Sequence, residues 1–367
     1  MNNQLIIIAP LSSLKKRTRL AKLIECLPNN VNYSFFGWKR LPSDKVEENG
    51  NFILSGGGYS SKKAKIMYLF WMVAVFFCCL YKFKSNDKVW ALGFESAFPA
   101  LLASKIKKFD VVYDDADRFS QLFNFPKIIK DMLEYLEKYV SRNCLIHIIP
   151  GSERYDFTSE NFLILKNTPT SFDVKKSEIV DLDLEIIQKI KSYDLNIYVN
   201  GWLTDTRGID IIKKVVEARK NICLLMAGRL DSDLAQQMLT FENVIYLGEL
   251  PQYEALAYYR ITNFVLTYYN PIYPINRMAE ANKWGDALQY SVPVIVNKEV
   301  VTAEFLRSSN SCISVNYDDH QSLLNQLDRL ILNKEKYALL VENTKNLQQI
   351  FPTFDEQLNN IFAKIGI

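Results

Sequence analysis

The sequence is poor in the residues that mark several common classes of protein. Its 13 glycines and 12 prolines are too few for collagen-like, low-complexity or disordered chains of 367 residues. The 44 basic and 41 acidic side chains leave a net charge of +3, which does not favour nucleic-acid binding. With two histidines, His147 and His320, a zinc site is not expected, and both are predicted to be structural.

Cysteine and long apolar runs are also sparse. The six cysteines are scattered without a CxxC pair, as in a protein of a reducing compartment. The first apolar run, in MNNQLIIIAP, is too short for the centre of a secretory signal, so a cytoplasmic location is expected. Ile66 to Tyr81 is uninterrupted apolar sequence, but a helix of that length spans roughly 24 Å, less than the roughly 30 Å of a bilayer core. It is interpreted as a core helix or, because lysines flank it, as a contact with an anionic membrane surface.

What the chain does contain is a regular alternation of short apolar runs and helical patterns. Such alternation predicts βαβ units around parallel sheets, and it occurs twice, separated by a polar, less regular stretch from Thr170 to Asp194. The predicted fold class is therefore α/β, with two doubly wound, Rossmann-like domains facing a central cleft. Because parallel sheets bind ligands beyond the carboxyl ends of their strands, we expect the active site to be built from loops at those ends.

The segment Tyr198 to Ala218, YVNGWLTDTRGIDIIKKVVEA, predicts a strand, a glycine loop and an amphipathic helix. Loop amides, the positive helix end and the fork of Arg207 would suit a phosphate, although a turn that merely needs glycine also explains the pattern. Neither GxGxxG nor GxxxxGK[ST] occurs, which argues against a dinucleotide dehydrogenase and a P-loop ATPase.

The segment Thr267 to Asn297 predicts a helix that carries Asn282, Lys283 and Asp286. Lys283 and Asp286 are three residues apart and so share a helix face. They could form a solvated ion pair, or the lysine could bind a diphosphate and the carboxylate the hydroxyls of a ribose.

Together, G-x-L-x-x-x-R-G and the later N-K-x-x-D-A-L-x-x-x-V-P-V-I resemble the nucleotide-binding half of GT-B glycosyltransferases, particularly the bacterial family 4-like enzymes of surface polysaccharide synthesis (capsule, O-antigen, exopolysaccharide). AGRL at Ala227 to Leu230 follows the same order. The resemblance implies a nucleoside-diphosphate-sugar donor, UDP-sugar favoured, a glycan or lipid-linked acceptor, and no metal or other cofactor. It implies an acceptor domain over 1–175, a donor domain over 176–350, and a helix at 351–367 that crosses back to the first domain. The donor-binding residues that it implies are Gly201, Arg207, Gly228, Arg229, Tyr269, Asn282, Lys283 and Asp286.

The chain departs from the family pattern at three positions. Trp202 replaces an arginine, Met278 a glutamate and Ala116 a histidine. The donor sugar and the retention or inversion of the anomeric configuration therefore stay open.

The segment VVYDDADRFSQL places three carboxylates and Arg118 after a buried strand. Mutual repulsion and partial burial can raise the pKa of one carboxylate and make it a general base, whereas solvated acids capping a helix would explain the same letters. The place resembles the Y-D-x-x-D of inverting GT-B transferases, which implies Asp117 as the base, with Asp115 second. Glu95 and Arg118 are assigned to the acceptor, although an acid such as Glu95 in the first turn of a predicted helix also simply favours the helix dipole. Asp115 and Asp117 match a DXD metal motif by letters, but cationic side chains can replace the ion.

The sequence thus predicts a glycosyltransferase that is cytoplasmic, with possible peripheral contact with the inner membrane. A GT-B sugar-nucleotide epimerase would share the nucleotide site but release an isomerised donor without an acceptor. A non-catalytic sugar-binding protein and a catalytically silent scaffold are also compatible with the pattern.

Overall fold

In a computed structural model, which describes residues 3–59, 61–115, 117–123 and 125–367, the chain forms two compact α/β units. The first unit comprises the chain up to Leu165 together with Leu358–Ile367, and the second comprises Lys166–Gln357. Ala116, the position of the family histidine, lies outside the described residues. Two parallel sheets confirm the predicted α/β class and its doubly wound topology.

In the described part of the first unit, seven parallel strands follow the order β3-β2-β1-β4-β5-β6-β7. These strands are β1 (Asn3–Ile8), β2 (Val31–Lys39), β3 (Gly50–Ser55), β4 (Lys88–Leu92), β5 (Asp110–Asp114), β6 (Ile146–Ile149) and β7 (Phe162–Ile164). Its helices are α1 (Thr18–Glu25), α2 (Ser61–Lys82), α3 (Phe94–Lys107), α4 (Phe119–Leu122) and α5 (Lys127–Asn143). The central strands are buried on both faces, which is why they are continuous apolar runs rather than alternating ones.

In the second unit, all of whose residues are described, six parallel strands follow the order β10-β9-β8-β11-β12-β13. They are β8 (Leu195–Leu203), β9 (Ile222–Leu230), β10 (Val244–Tyr246), β11 (Phe264–Thr267), β12 (Val294–Asn297) and β13 (Cys312–Val315). The helices are α6 (Ser171–Glu178), α7 (Leu184–Lys191), α8 (Ile209–Ala218), α9 (Asp233–Gln237), α10 (Gln252–Ala257), α11 (Asn282–Gln289), α12 (Glu304–Ser308), α13 (His320–Leu332), α14 (Lys334–Ile350) and α15 (Phe354–Ile365), whose last residues belong to the first unit. Short 3-10 helices include Asp205–Arg207 and Pro274–Met278.

The structure corrects two sequence-based expectations about local structure. The polar stretch after Thr170 is helical, because Thr170 caps α6 and Asp183 caps α7 with their side chains. Strand β8 does not end before Gly201 but runs on beside β9, with Gly201 opposite Gly228 in the register. The expected glycine loop is therefore the end of a strand pair.

Helix α2 is buried on one side only and is not an enclosed core helix. Trp71, Val75 and Cys79 on one side are fully buried, whereas Phe70 and Phe77 on the other are about half exposed. Among the described residues, no helix is long and apolar enough to cross a bilayer. The sequence of α2 is apolar on all sides, but only one side of the helix is buried in the structure.

Each sheet has one point at which the strand order reverses direction. In the first unit it lies between β1 and β4, and in the second between β8 and β11. At such a point the connections on either side leave in opposite directions and open a crevice at the carboxyl ends of the strands. Both units have a cavity there.

Candidate functional site

The cavity of the second unit has a volume of about 260 Å³. It lies between the ends of β8 and β11 and the start of α11. Its polar and aromatic lining consists of Asn200, Trp202, Arg207, Thr267, Tyr268, Tyr269, Glu280, Asn282 and Lys283. The expected donor residues Arg207, Tyr269, Asn282 and Lys283 are thereby brought together.

Two cations line this cavity, Arg207 and Lys283. The guanidinium of Arg207 lies 4.3 Å from the ring centroid of Tyr269, and Lys283 approaches Gly201 so closely that a Cβ there would be 3.2 Å from Nζ. In this fully described unit, neither cation has a carboxylate oxygen within 4.0 Å. Gly201 also has a φ of 103°, which disfavours any other residue. The cavity therefore offers two positive charges to an anion.

Helix α11 is held in place by buried polar contacts at its start. Trp284 Nε1 donates a 2.7 Å hydrogen bond to Thr267 Oγ1 at the end of β11. Just before the helix, Glu280 is paired with Lys166 at 2.8 Å. These contacts hold the start of α11, and with it Lys283, in place. The carboxylate of Glu280, on the cavity wall, is paired with Lys166.

Three other expected donor residues do not line this cavity of the fully described unit, namely Asp286, Arg229 and Gly228. Asp286 is 2% exposed and is not in the cavity lining of this fully described unit; its charge instead raises the pKa of Tyr259, after the larger effect of burial. Arg229 is exposed and pairs with Asp231 at 3.5 Å. Gly228 is needed for packing, because a Cβ there would lie 2.0 Å from the carbonyl oxygen of Gly201.

The cavity of the first unit has a volume of about 240 Å³ and lies at the carboxyl ends of the strands around β1 and β4. Its lining consists of Pro10, Leu11, Arg17, Arg40, Tyr59, Tyr68, Leu92, Gly93, Glu95, Asp117 and Leu122. The predicted base Asp117 and the predicted acceptor residue Glu95 therefore share one cavity. Among the described residues, the lining includes neither Asp115 nor Arg118.

Glu95 is a buried carboxyl in the first turn of α3. It is 6% exposed, and burial raises its pKa to about 8, with a further contribution from the charge of Asp115. Arg40 and Arg17 act in the opposite direction but do not cancel the effect of burial. At neutral pH most Glu95 side chains are therefore protonated and can donate a hydrogen bond.

Asp117 is more accessible and is held by arginines. Its carboxylate accepts a 3.3 Å hydrogen bond from Arg154 Nη2 and lies 4.0 Å from Arg17 Nη1. Its side chain is 39% exposed, so it can meet a ligand in the cavity. An accessible carboxylate that is held in place by arginines suits a general base.

The neighbouring carboxylates, Asp114 and Asp115, are buried and have partners within the first unit. Burial opposes the charged form of Asp115, but His147, with Nε2 3.7 Å away, and a 2.7 Å hydrogen bond from Tyr155 lower its pKa. His147 is buried, and its ring stacks on Tyr113. Asp114 pairs with Arg19 at 2.9 Å.

Arg118 lies in a separate buried network. It pairs with Glu137 at 3.2 Å and with Asp156 at 3.3 Å, and Glu137 also accepts a hydrogen bond from the Ser120 amide. These contacts attach α5 to the loop after β5.

Sequence reasoning did not assign Arg40 or Tyr68 to a site. Arg40 follows β2, and Tyr68 lies inside the apolar run of α2, so neither belonged to a motif. The position of Arg40 directly after a strand is the one feature of the sequence that could have indicated a site residue. Among the described residues, the structure contains no group of three or more His, Cys, Asp or Glu placed to hold a metal ion.

No protein-family model and no curated protein matches the sequence. Solved structures nevertheless resemble the fold over nearly the whole chain. They include an α,α-trehalose-phosphate synthase (UDP-forming) from Burkholderia vietnamiensis, with a TM-score of 0.63 and 8% identity over 100% of both chains. Anabaena HepE in complex with UDP has a TM-score of 0.64 and 13% identity over 98% of this chain and 99% of that one. A UDP-N-acetylglucosamine 2-epimerase has a TM-score of 0.57 and 10% identity over 94% and 91%. At these identities the likeness establishes the fold, which is GT-B.

Proposed function

We propose that this protein is a glycosyltransferase that moves a sugar from a nucleoside-diphosphate sugar, a UDP-sugar by preference, to a glycan or lipid-linked acceptor. The observation that carries the proposal is the pair Arg207 and Lys283 in one cavity, neither of which has a carboxylate partner in the fully described second unit. Cations so placed suit a diphosphate. Structures with this fold that bind UDP or form it, such as HepE and the trehalose-phosphate synthase, support the choice of nucleotide.

In the proposed reaction, Asp117 takes the proton of the acceptor hydroxyl. The hydroxyl oxygen forms a bond to the anomeric carbon of the donor, and the bond from that carbon to the diphosphate oxygen breaks. The electron pair leaves with the nucleoside diphosphate, whose charge Arg207 and Lys283 stabilise. With these cations at the leaving group, the proposal needs no metal ion. A direct displacement of this kind inverts the anomeric configuration.

We assign the acceptor to bacterial surface polysaccharide synthesis, on the resemblance of the sequence motifs, and place the protein at the cytoplasmic face of the inner membrane. Support for the membrane contact comes from the exposed side of α2. Its members, each between 49% and 81% exposed, recur at helical spacing and are Ile66, Leu69, Phe70, Val73, Phe77 and Tyr81. Helix α3 packs against α2, and α5 packs against α3; these two helices also carry exposed apolar side chains, namely Ile106, Ile128, Met132 and Tyr135.

The charge of α2 itself favours an anionic bilayer as the occupant of its exposed apolar side. Helix α2 contains no acidic residue and has lysines near both ends. Exposed lysines on the same three helices include Lys82, Lys105, Lys107 and Lys127. Aromatic and aliphatic side chains bordered by lysine are typical of helices that lie in the surface of a membrane.

The test is a thermal-shift panel of UDP-, GDP-, CMP- and dTDP-sugars, followed by product analysis with the donor that stabilises the protein most. A glycosyltransferase releases nucleoside diphosphate and glycosylates an added acceptor. An epimerase, which the structural likeness to a UDP-N-acetylglucosamine 2-epimerase keeps as the second candidate, converts the donor into an isomer without an acceptor.

The base is tested separately. Asp117→Asn is expected to bind the donor normally and to lower the transfer rate at least about 100-fold, because general base catalysis contributes 10²–10⁴. Asp131→Asn, an exposed aspartate on α5, is the matched control and should retain full activity. Normal turnover by Asp117→Asn would remove Asp117 from the mechanism.

A further inference from the structure

The cavity of the first unit contains a buried arginine, Arg40. It is 8% exposed, its guanidinium carbon lies 3.9 Å from the ring centroid of Trp38, and its Nη2 donates a 2.8 Å hydrogen bond to Tyr68 Oη. Among the described residues, no carboxylate oxygen lies within 4.0 Å of this side chain. A buried guanidinium is costly to desolvate unless an anion compensates it, and this one lines a cavity that is open to a ligand.

A second arginine lines the same cavity. Arg17 lies at the start of α1 and is 56% exposed, and its only carboxylate contact within the described part of the chain is the 4.0 Å approach to Asp117. Arg17 lies in the connection between β1 and α1, and Arg40 directly follows β2. Two different parts of the chain therefore each contribute one cation to the lining of this cavity.

The carboxyls of the cavity do not balance these charges. Burial raises the pKa of Glu95 to about 8, so at neutral pH this side chain is mostly neutral. The carboxylate of Asp117 accepts a hydrogen bond from Arg154 of the same unit, so its charge is divided between Arg154 and Arg17. The cavity therefore has an excess of positive charge, and the protonated Glu95 can donate a hydrogen bond to an oxyanion rather than repel it.

We propose that Arg40 and Arg17 form a subsite for an oxyanion of the acceptor, a phosphate or a carboxylate, beside the hydroxyl that Asp117 deprotonates. This proposal rests on the proposed function in taking the ligand of the cavity to be the acceptor. The planar fork of arginine matches two oxygens of such a group, and stacking on Trp38 holds the Arg40 fork in one plane. The acceptor is thus an acidic sugar, a sugar phosphate or a lipid-linked phosphate rather than a neutral sugar.

The experiment measures ligand binding by calorimetry on the 367-residue chain saturated with UDP, so that the cavity with Arg207 and Lys283 is occupied. The probes are methyl phosphate, farnesyl phosphate, glucuronate and glucose. We expect the anionic probes to bind and glucose not to bind measurably. Tighter binding of farnesyl phosphate than of methyl phosphate would assign the anion to a lipid carrier, and equal binding would assign it to a soluble acceptor.

Three variants connect this binding to the cavity. Arg40→Lys keeps the charge but loses the fork, and Arg17→Gln changes a side chain that is more than half exposed, so both are expected to fold and to weaken anion binding at least tenfold. Arg142→Gln, an exposed arginine of the same unit, is the control and should bind as the wild type. Anion binding that both cavity variants leave unchanged, or equal binding of glucose, would overturn the proposal.

The outcome is separable from that of the proposed function. If UDP and its sugars do not bind but the anions bind in an Arg40-dependent manner, the subsite stands and the glycosyltransferase assignment fails. If transfer occurs to neutral acceptors only, and anions do not bind, the assignment stands and the subsite fails.

Discussion

At the scale of the residue, Lys283 is the side chain on which nucleotide binding depends most. It is half-buried at the start of α11, beside the backbone of Gly201, and has no carboxylate partner within 4.0 Å in the fully described second unit. A hydrogen bond to a charged group contributes about 1.5–3 kcal/mol. Lys283→Ala is therefore expected to weaken UDP binding by about 10- to 100-fold in a calorimetric titration.

The control for this prediction is Lys345→Ala, which removes an exposed lysine of α14 in the same unit. It changes the net charge equally, so a general electrostatic effect would appear in both variants. Equal affinity of Lys283→Ala and wild-type protein for UDP would contradict the assignment of the diphosphate to this cavity.

The second residue-scale prediction concerns Glu95 and pH. The unfolded chain releases the proton of Glu95 near pH 4.5, whereas the folded protein retains it up to about pH 8. Since the folded state binds the extra proton between these values, its stability falls as the pH rises through this window. In Glu95→Gln the amide stays neutral, so the variant should gain stability relative to the wild type from pH 5 to pH 8, by on the order of 4 kcal/mol.

The measurement is urea unfolding of both proteins at pH 5 and pH 8. Glu134→Gln, which replaces a partly exposed glutamate of α5, serves as the control for the loss of a carboxyl group from the same unit. A constant stability difference between Glu95→Gln and wild type at both pH values would mean that Glu95 titrates normally.

At the scale of the element, α2 combines two functions on opposite sides. Trp71, Val75 and Cys79 complete the core of the first unit, whereas the exposed stripe with Phe70 and Phe77 faces away from that core. We predict that the double variant Phe70→Ser, Phe77→Ser binds vesicles of mixed neutral and anionic phospholipid at least tenfold more weakly than the wild type, because each lost phenyl group removes about 1.5–3 kcal/mol of burial.

Two comparisons decide whether the membrane is the occupant. Leu332→Ser with Ile350→Ser removes two exposed apolar side chains of the second unit and should leave vesicle binding intact. Light scattering in solution detects the competing occupant, a second copy of the chain. A dimer that the α2 variant dissociates, together with no binding of wild-type protein to vesicles, would refute the membrane contact.

At the scale of the whole molecule, the end of the chain completes the first unit. Leu358, Ile361, Phe362 and Ile365 of α15 are at most 2% exposed, and residues from Leu358 onward belong to that unit. Phe362→Ala is expected to destabilise the first unit by about 3–5 kcal/mol, the usual cost of such a core truncation. Ile350→Ala, on an exposed side chain, should cost less than about 0.5 kcal/mol.

Scanning calorimetry with and without UDP checks this prediction. Because UDP is proposed to bind the second unit, a saturating concentration should raise the unfolding temperature of that unit. It should not change the decrease in the unfolding temperature of the first unit that Phe362→Ala causes. Full recovery of the variant by UDP would show that the unfolding of the two units is a single event.

The sequence by itself determined the alternation of strands and helices, the parallel class of both sheets and the motifs that carry Arg207 and Lys283. These follow from local periodicity and from spacing along one chain segment, which a sequence records directly. Arg207 follows β8 and Lys283 follows β11. These two segments lie beside each other because β8 and β11 are adjacent strands, at the point where the strand order reverses direction.

Only the tertiary structure decided which polar groups face a cavity. Asp115 and Asp117 are two residues apart, yet Asp115 is buried against Tyr155 and His147 whereas Asp117 is partly exposed and accessible. The tertiary structure also joined Arg40 to Glu95, although these residues are far apart in the sequence, and divided α2 into buried and exposed sides. Burial and charge pairing depend on residues distant in the chain, and their energies are set by a packing that no local pattern contains.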